Sequence, residues 1–381
     1  MGALKLDARV DTDLGLVRAF IEWRFDQGFL SSGAVLRKGW VEVGGFQAGR
    51  YQSYFDLYAD EFNNIGVVGS DNRPVGAAYT ATFDKWSAAV SLEDNSGAIG
   101  FPNYYGIQTA VGPGGLTSYA YPSPFVANPA VSGTPYYTAG GYRVPDVVTR
   151  LAYTDSWGQV QLNGAVHQVR ASIFDEASGT TASGVAGIVP GFMADHTAYG
   201  WAVKAGAKVN LPMLGPGDTL YAEAAYTHGA MLYIGATGAY GLGRALELTY
   251  AADALPVGPG GSLKLTDGWN ALAAYSHTWT PTVSTAFWAS YSAVNYPGGT
   301  ITGTTDYYAP GVGLQGRDFS YWQLGAQANW SPVRNLTFSG SVNWIALEAK
   351  RLAADALVYP GGNLTRNSNA AAFALRVERS F

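Results

Sequence analysis

Few residues in this chain have types and spacings suited to making or breaking bonds. Four histidines, His167, His196, His228 and His277, are spread over 381 residues that contain no cysteine. A metal centre needs three or four imidazole, thiolate or carboxylate groups at short spacings, and no histidine here has another at helix or hairpin ligand spacing. Nucleophilic catalysis needs a base within hydrogen-bond reach of a serine or its equivalent. None of the four histidines has serine two residues later, and His228 runs into Gly229-Ala230. Gly311-Val-Gly313-Leu-Gln-Gly316 has the spacing of a dinucleotide fingerprint, but the Asp318-Phe-Ser-Tyr-Trp322 run after it reads as a strand, where a helix N-terminus would have to meet the pyrophosphate. The sequence therefore predicts no enzyme activity, no metal and no cofactor.

What remains is charge held at alternate positions. Leu4, Leu6, Ala8 and Val10 alternate with Lys5, Asp7, Arg9 and Asp11; Val17, Ala19, Ile21 and Trp23 then alternate with Arg18, Glu22 and Arg24. Successive side chains of a strand point to opposite faces, so each segment carries one apolar and one charged face. The charged face extends to Lys38, Glu42 and Arg50, to Arg150, Lys204 and Lys208, and to Arg376 and Glu378 near the end. A separate acidic cluster, Asp56, Asp60, Glu61 and Asp71, falls in an irregular connection at about 56–77.

The elements that must position these charges are strands throughout. Trp322, Leu324, Ala326, Ala328 and Trp330 interleave with Tyr321, Gln323, Gln327 and Asn329, and Trp201, Val203, Ala205, Ala207 and Val209 interleave with Lys204 and Lys208. The chain ends on Phe373-Ala-Leu375-Arg-Val377-Glu-Arg379-Ser-Phe381, again alternating. Around 269–279 and 283–293 the alternation does not decide which face is which. Short links (Asp84-Lys85, Ser156-Trp-Gly158, Thr280-Pro281) alternate with long ones at roughly 56–77, 94–146, 172–198, 295–318 and 348–369.

Aromatics at 14%, 49 glycines and only 13% charged residues suit many strands joined by tight turns and edged by Tyr and Trp. A run of about 18 apolar residues is missing, which argues against helical membrane spans, and a net charge of −5 argues against a nucleic-acid partner. These features predict an all-β fold over residues 1–381: one transmembrane antiparallel β-barrel with its apolar face in bacterial outer-membrane lipid and its polar face on a water-filled lumen. About fifteen strands can be counted. Met1-Gly-Ala-Leu-Lys-Leu-Asp7 opens directly inside an alternating segment, so a leader and one ascending strand are expected to have preceded it, bringing the total to an even sixteen.

Leu6-Asp-Ala-Arg-Val-Asp-Thr-Asp-Leu-Gly-Leu-Val-Arg-Ala-Phe20, with Gly44-Gly-Phe-Gln-Ala-Gly-Arg-Tyr-Gln-Ser-Tyr-Phe55 and the terminal strand, resembles the general porins of alphaproteobacteria. The resemblance implies a sixteen-stranded, homotrimeric outer-membrane barrel through which small hydrophilic solutes and ions diffuse. It also implies that the third outer loop, here about 56–77, folds inward and narrows the bore. Asp56, Asp60, Glu61 and Asp71 would then form the acidic side of the waist, facing Lys5, Arg9, Arg18, Arg24, Lys38 and Arg50. Opposed charges across a narrow passage order water and favour polar solutes. The loop at about 94–146, rich in Gly, Pro, Ser and Tyr, leaves open a substrate-specific channel with a binding track. A barrel enzyme and a secreted β-sandwich are further alternatives.

Overall fold

The computed structural model describes residues 2–13, 15–27, 32–57, 69–95, 109–111, 117–119, 136–139, 143–174, 193–236, 251–257, 262–297, 318–349 and 367–380. The chain opens with β1 (Gly2–Thr12), β2 (Gly15–Gln27), β3 (Ser32–Val43), β4 (Phe46–Arg50), β5 (Val75–Phe83) and β6 (Trp86–Asp94). Short strands β7 (Thr109–Val111), β8 (Thr117–Tyr119) and β9 (Tyr136–Ala139) lie in the next connection, followed by β10 (Asp146–Asp155), β11 (Gly158–Phe174), β12 (Met193–Asn210) and β13 (Thr219–His228). After them come β14 (Ala254–Val257), β15 (Ser262–Leu265), β16 (Asp267–Thr280), β17 (Val283–Asn295), β18 (Phe319–Val333), β19 (Leu336–Ala349) and β20 (Asn367–Arg379).

Every chain neighbour in the main sheet is also a spatial neighbour, giving one antiparallel meander from β1 to β20. The sheet has 16 strands, but β9 pairs Ala171–Phe174 of β11 on the side where β10 pairs Val166–Gly158. The two therefore share one strand position, and the positions number fifteen, as the alternation implies. Among the described residues no ladder joins β1 to β20. Tight hairpins form where the sequence supplies left-handed residues: Gly44 and Gly45 (φ 56° and 87°) between β3 and β4, Asp84 (φ 53°) between β5 and β6, and Asn335 (φ 64°) between β18 and β19.

The period-two pattern becomes two faces of different chemistry. On β18, Trp322 and Trp330 are 51% and 53% exposed while Tyr321 and Gln323 between and beside them are 0% and 1%. The undecided strands are resolved likewise: Trp269 and Phe287 point outward, whereas Asn270, Leu272, Trp288 and Ser290 are buried on the inner face. Outward aromatics gather in two rows. One runs Trp201, Tyr226, Trp269, Tyr291 and Trp322 near the long connections, with ring centroids 4.7 Å apart for Tyr291 and Trp322; the other holds Trp86, Tyr153, Trp157, Trp330 and Phe338 near the short turns. Trp322 and Trp330 lie on one strand, about 26 Å apart along it at the usual rise. With the tilt of a barrel strand that is close to the apolar band of about 25 Å expected between aromatic girdles.

Candidate functional site

The polar face would enclose an open bore if nothing entered it, but among the described residues two connections do. The first leaves β4 after Arg50, next to Gly49, whose φ of 127° suits glycine and whose missing side chain lets the backbone pass against Gly39 and Trp40. Its base is closed by Tyr51 N donating to Pro74 O (3.2 Å) and Ser53 N to Asn72 O (2.9 Å). Residues 51–56 then lie against the inner face of β6, β10, β11 and β12, with Tyr51, Ser53, Tyr54, Phe55 and Asp56 all buried.

Backbone and side-chain polar groups taken from water need partners, and the inward positions of the wall supply them. Glu93 accepts from Ser53 Oγ (2.7 Å) and Tyr54 N (3.1 Å), and Ser91 meets the Tyr51 hydroxyl at 2.8 Å. Asn163 donates to Tyr54 O (2.6 Å) and Gln161 to Asp56 O (3.2 Å). Two wall cations cap the aromatic rings: the Arg150 guanidinium is 4.6 Å from the Tyr54 ring centre and Lys204 Nζ is 5.0 Å from that of Phe55. Lys204 is also 3.4 Å from Glu223, both side chains being buried.

Asp56 binds the two arms of this connection to each other. Its carboxylate accepts from Gln52 Nε2 (2.6 Å), Asn72 N (2.7 Å) and the Ser70 hydroxyl. Burial pushes its carboxyl above the ordinary carboxylate range, against the pull of Lys204. Asp71 is taken up by Arg73 (2.8 Å) and Gln52 (2.9 Å).

The second inward segment follows β13 and escaped the sequence reading. Gly229 and Gly235, with φ of 71° and 70°, bracket a 3-10 helix at Met231–Ile234. Met231 and Ile234 pack with Val294, Phe319, Tyr321, Ile345 and Leu347, while Leu232 and Tyr233 join Tyr51, Phe55, Val148 and Ala165. The two segments touch: the Phe55 and Tyr233 rings are 4.6 Å apart, and a side chain at Gly235 would meet Gly69 O at 2.5 Å. A five-residue apolar run between glycines, Ala230 to Ile234, was the available signal, but it is indistinguishable by period from a strand fragment.

The charges singled out from the sequence separate into two groups. Lys5, Asp7, Arg9, Arg18 and Glu22 share the inner face at the β1 edge: Arg9 and Arg18 both reach Asp7 at 2.9 Å, and Arg18 lies 5.0 Å over the Trp40 ring. Glu22 stands opposite Lys38 and is 3.8 Å from Arg37, a residue placed at a bulge that the alternation hid. Arg18 stands opposite Glu42, and Arg24 opposite Val35. Arg376 and Glu378 pair at 2.6 Å on β20. By contrast Arg150 and Lys204 are covered by residues 51–57, and Lys208 lies 4.9 Å over Tyr221. Arg50 registers opposite Gly39 and exposed Val75, and its Nε is buried without a hydrogen-bond partner among the described residues. Asp60 and Glu61 lie outside the described residues, as does most of the connection at about 94–146.

Known proteins agree with this architecture. The outer membrane channel DcaP of Acinetobacter baumannii superposes with a TM-score of 0.59 at 12% identity, covering 100% of this chain and 84% of that one, a likeness of fold alone. Porin Omp2b of Brucella suis biovar 1 (strain 1330) is 26% identical over 175 residues, 42% of this chain. That match spans 40% of the relative's own length. The family described as "Porin subfamily" matches residues 2–372. The meander, with its apolar outer surface and polar inner face, accords with that match, and the chain belongs to the Porin subfamily, an outer-membrane barrel.

Proposed function

We propose that the protein is a passive diffusion channel for small hydrophilic solutes and ions, one barrel domain working as a homotrimer. The observation that carries this is the division of each strand into a lipid-facing apolar row and a polar row. That division is combined with a connection whose residues 51–56 are held against the polar row by Glu93, Asn163, Gln161 and Ser91. A polar bore narrowed by a fixed loop selects by size and charge without a binding step.

In this reading Asp60 and Glu61 form the acidic side of the waist, with Asp56 and Asp71 tying the loop's base. Arg9, Arg18, Arg24, Lys5 and Lys38 form the basic side. Planar-bilayer recording tests it: step conductances that scale with salt, without saturation by solute, are expected. Neutralising Asp60 and Glu61 moves the reversal potential toward anions; an unmoved potential removes them from the waist. Saturating flux would instead favour a substrate-specific channel. A single-subunit mass after cross-linking of detergent-extracted protein would overturn the trimer.

A further inference from the structure

We infer that the segment around the 3-10 helix, residues 229–236 with 251–254, is a second constriction that confines permeation to the side of the bore formed by β20, β1, β2 and β3. The inference rests on the diffusion-channel reading. It begins from burial: Met231, Tyr233, Ile234 and Ala254 are all 0% exposed, which a loop lying over a rim does not achieve. The helix uses both of its sides. Met231 and Ile234 cover the inner face of β17, β18 and β19, and Leu232 and Tyr233 cover that of β10, β11 and β12 together with residues 51–55. This apolar bar therefore crosses the wall from β10 to β19 and continues the surface of the first inward loop.

Its polar ties run to the wall. Tyr233 Oη donates to Asp146 Oδ2 at 2.7 Å, and Asn95 reaches the same carboxylate at 3.0 Å and Tyr233 Oη at 3.3 Å. His167 bridges Asp146, 2.9 Å from Nδ1, and Asp253 of the inward segment, 3.7 Å from Nε2. Asp253 in turn accepts from Met231 N at 2.6 Å, and Ala252 N donates to the Tyr296 hydroxyl at 3.2 Å. Buried polar groups tied both to the wall and to the inward segment favour one geometry, so the bar is a fixed part of the passage. Among the described residues, inner-face charges of the opposite side keep solvent contact: Arg9, Asp7 and Arg18, and the Arg376–Glu378 pair.

Two variants test this in planar bilayers, each first checked for heat-modifiable migration as a mark of a folded barrel. In one, residues 231–252 are replaced by a short Gly-Ser link; in the other, Tyr233→Ala and Asp253→Ala cut the polar ties and leave the chain length intact. Single-channel conductance should rise by roughly twofold in the first, in proportion to the cross-section freed, and by less in the second, and larger polyethylene glycols should enter. If the unaltered chain conducts and both folded variants match it in conductance and size exclusion, the second constriction is overturned while the diffusion-channel reading stands. Absence of any conductance from the unaltered chain overturns both.

Discussion

Two stretches of the inner wall carry similar charged residues and use them differently. On β6 and β10 to β13, Glu93, Lys204 and Glu223 are buried and Arg150 is half-buried beneath the inward connections, where they hold backbone groups and aromatic rings. On β1, β2 and β20, Arg9, Asp7, Arg18, Arg376 and Glu378 pair with each other while keeping solvent contact. The strand grammar is the same in both. What differs is whether a distant loop comes to rest on the wall, and a covered charge becomes a structural part while an uncovered one is left to meet solutes.

The comparison breaks most readily at Lys204. Replacing Lys204 by Met strands the buried Glu223 carboxylate, and unfolding measured by urea in lipid or detergent should show a loss of about 3–5 kcal/mol. A smaller loss, about 2–4 kcal/mol, is expected when outward Leu324, midway down the lipid face, becomes Arg; equal tolerance of Arg at Leu324 and at a lumen position would mean that the faces are misassigned. Arg9→Gln with Arg18→Gln should do the reverse of Lys204→Met. The unfolding midpoint should stay where it is, because exposed ion pairs contribute little, but the reversal potential should shift toward cations.

The pH response of Asp56 sharpens the contrast further. Burial raises its pKa in the folded state, so in the window above the ordinary carboxylate range the folded chain holds a proton that the unfolded chain has released. Stability from this group is therefore present at low pH and declines as pH rises through that window. Asp56→Asn, which retains an acceptor for Gln52 and Asn72, should flatten the slope of urea midpoint against pH; an unchanged slope would assign it to other groups. The smallest effect is expected at Lys85, whose pair with Asp155 at 2.8 Å lies in an exposed turn. Lys85→Ala should leave both conductance and the unfolding midpoint unaltered.

Much of the fold was legible because a strand's two faces are a local property. Trp322 to Trp330 and Trp201 to Val209 declare their outward row by period alone, and the short link Asp84-Lys85 marks the hairpin between β5 and β6. The 269–279 and 283–293 strands were not legible, since Ala occurs on both faces of each and Trp faces outward on one and inward on the other; Trp288 lies inward because Gly325 leaves room for its ring and Asn343 accepts its indole N–H at 3.2 Å. Arg37 was hidden because one extra residue at a bulge reverses the phase that alternation relies on.

By itself the amino-acid sequence determined that this chain forms a two-faced antiparallel sheet, which face meets lipid along most of it, and that charge lines the other. Only the tertiary structure decided which of those charges are spent: Tyr54 rests on Arg150 and Asn163, and Tyr233 on Asp146, across separations of 87 residues or more. No short-range pattern encodes such contacts, because they depend on where a connection comes to lie on a wall built from strands distant in sequence.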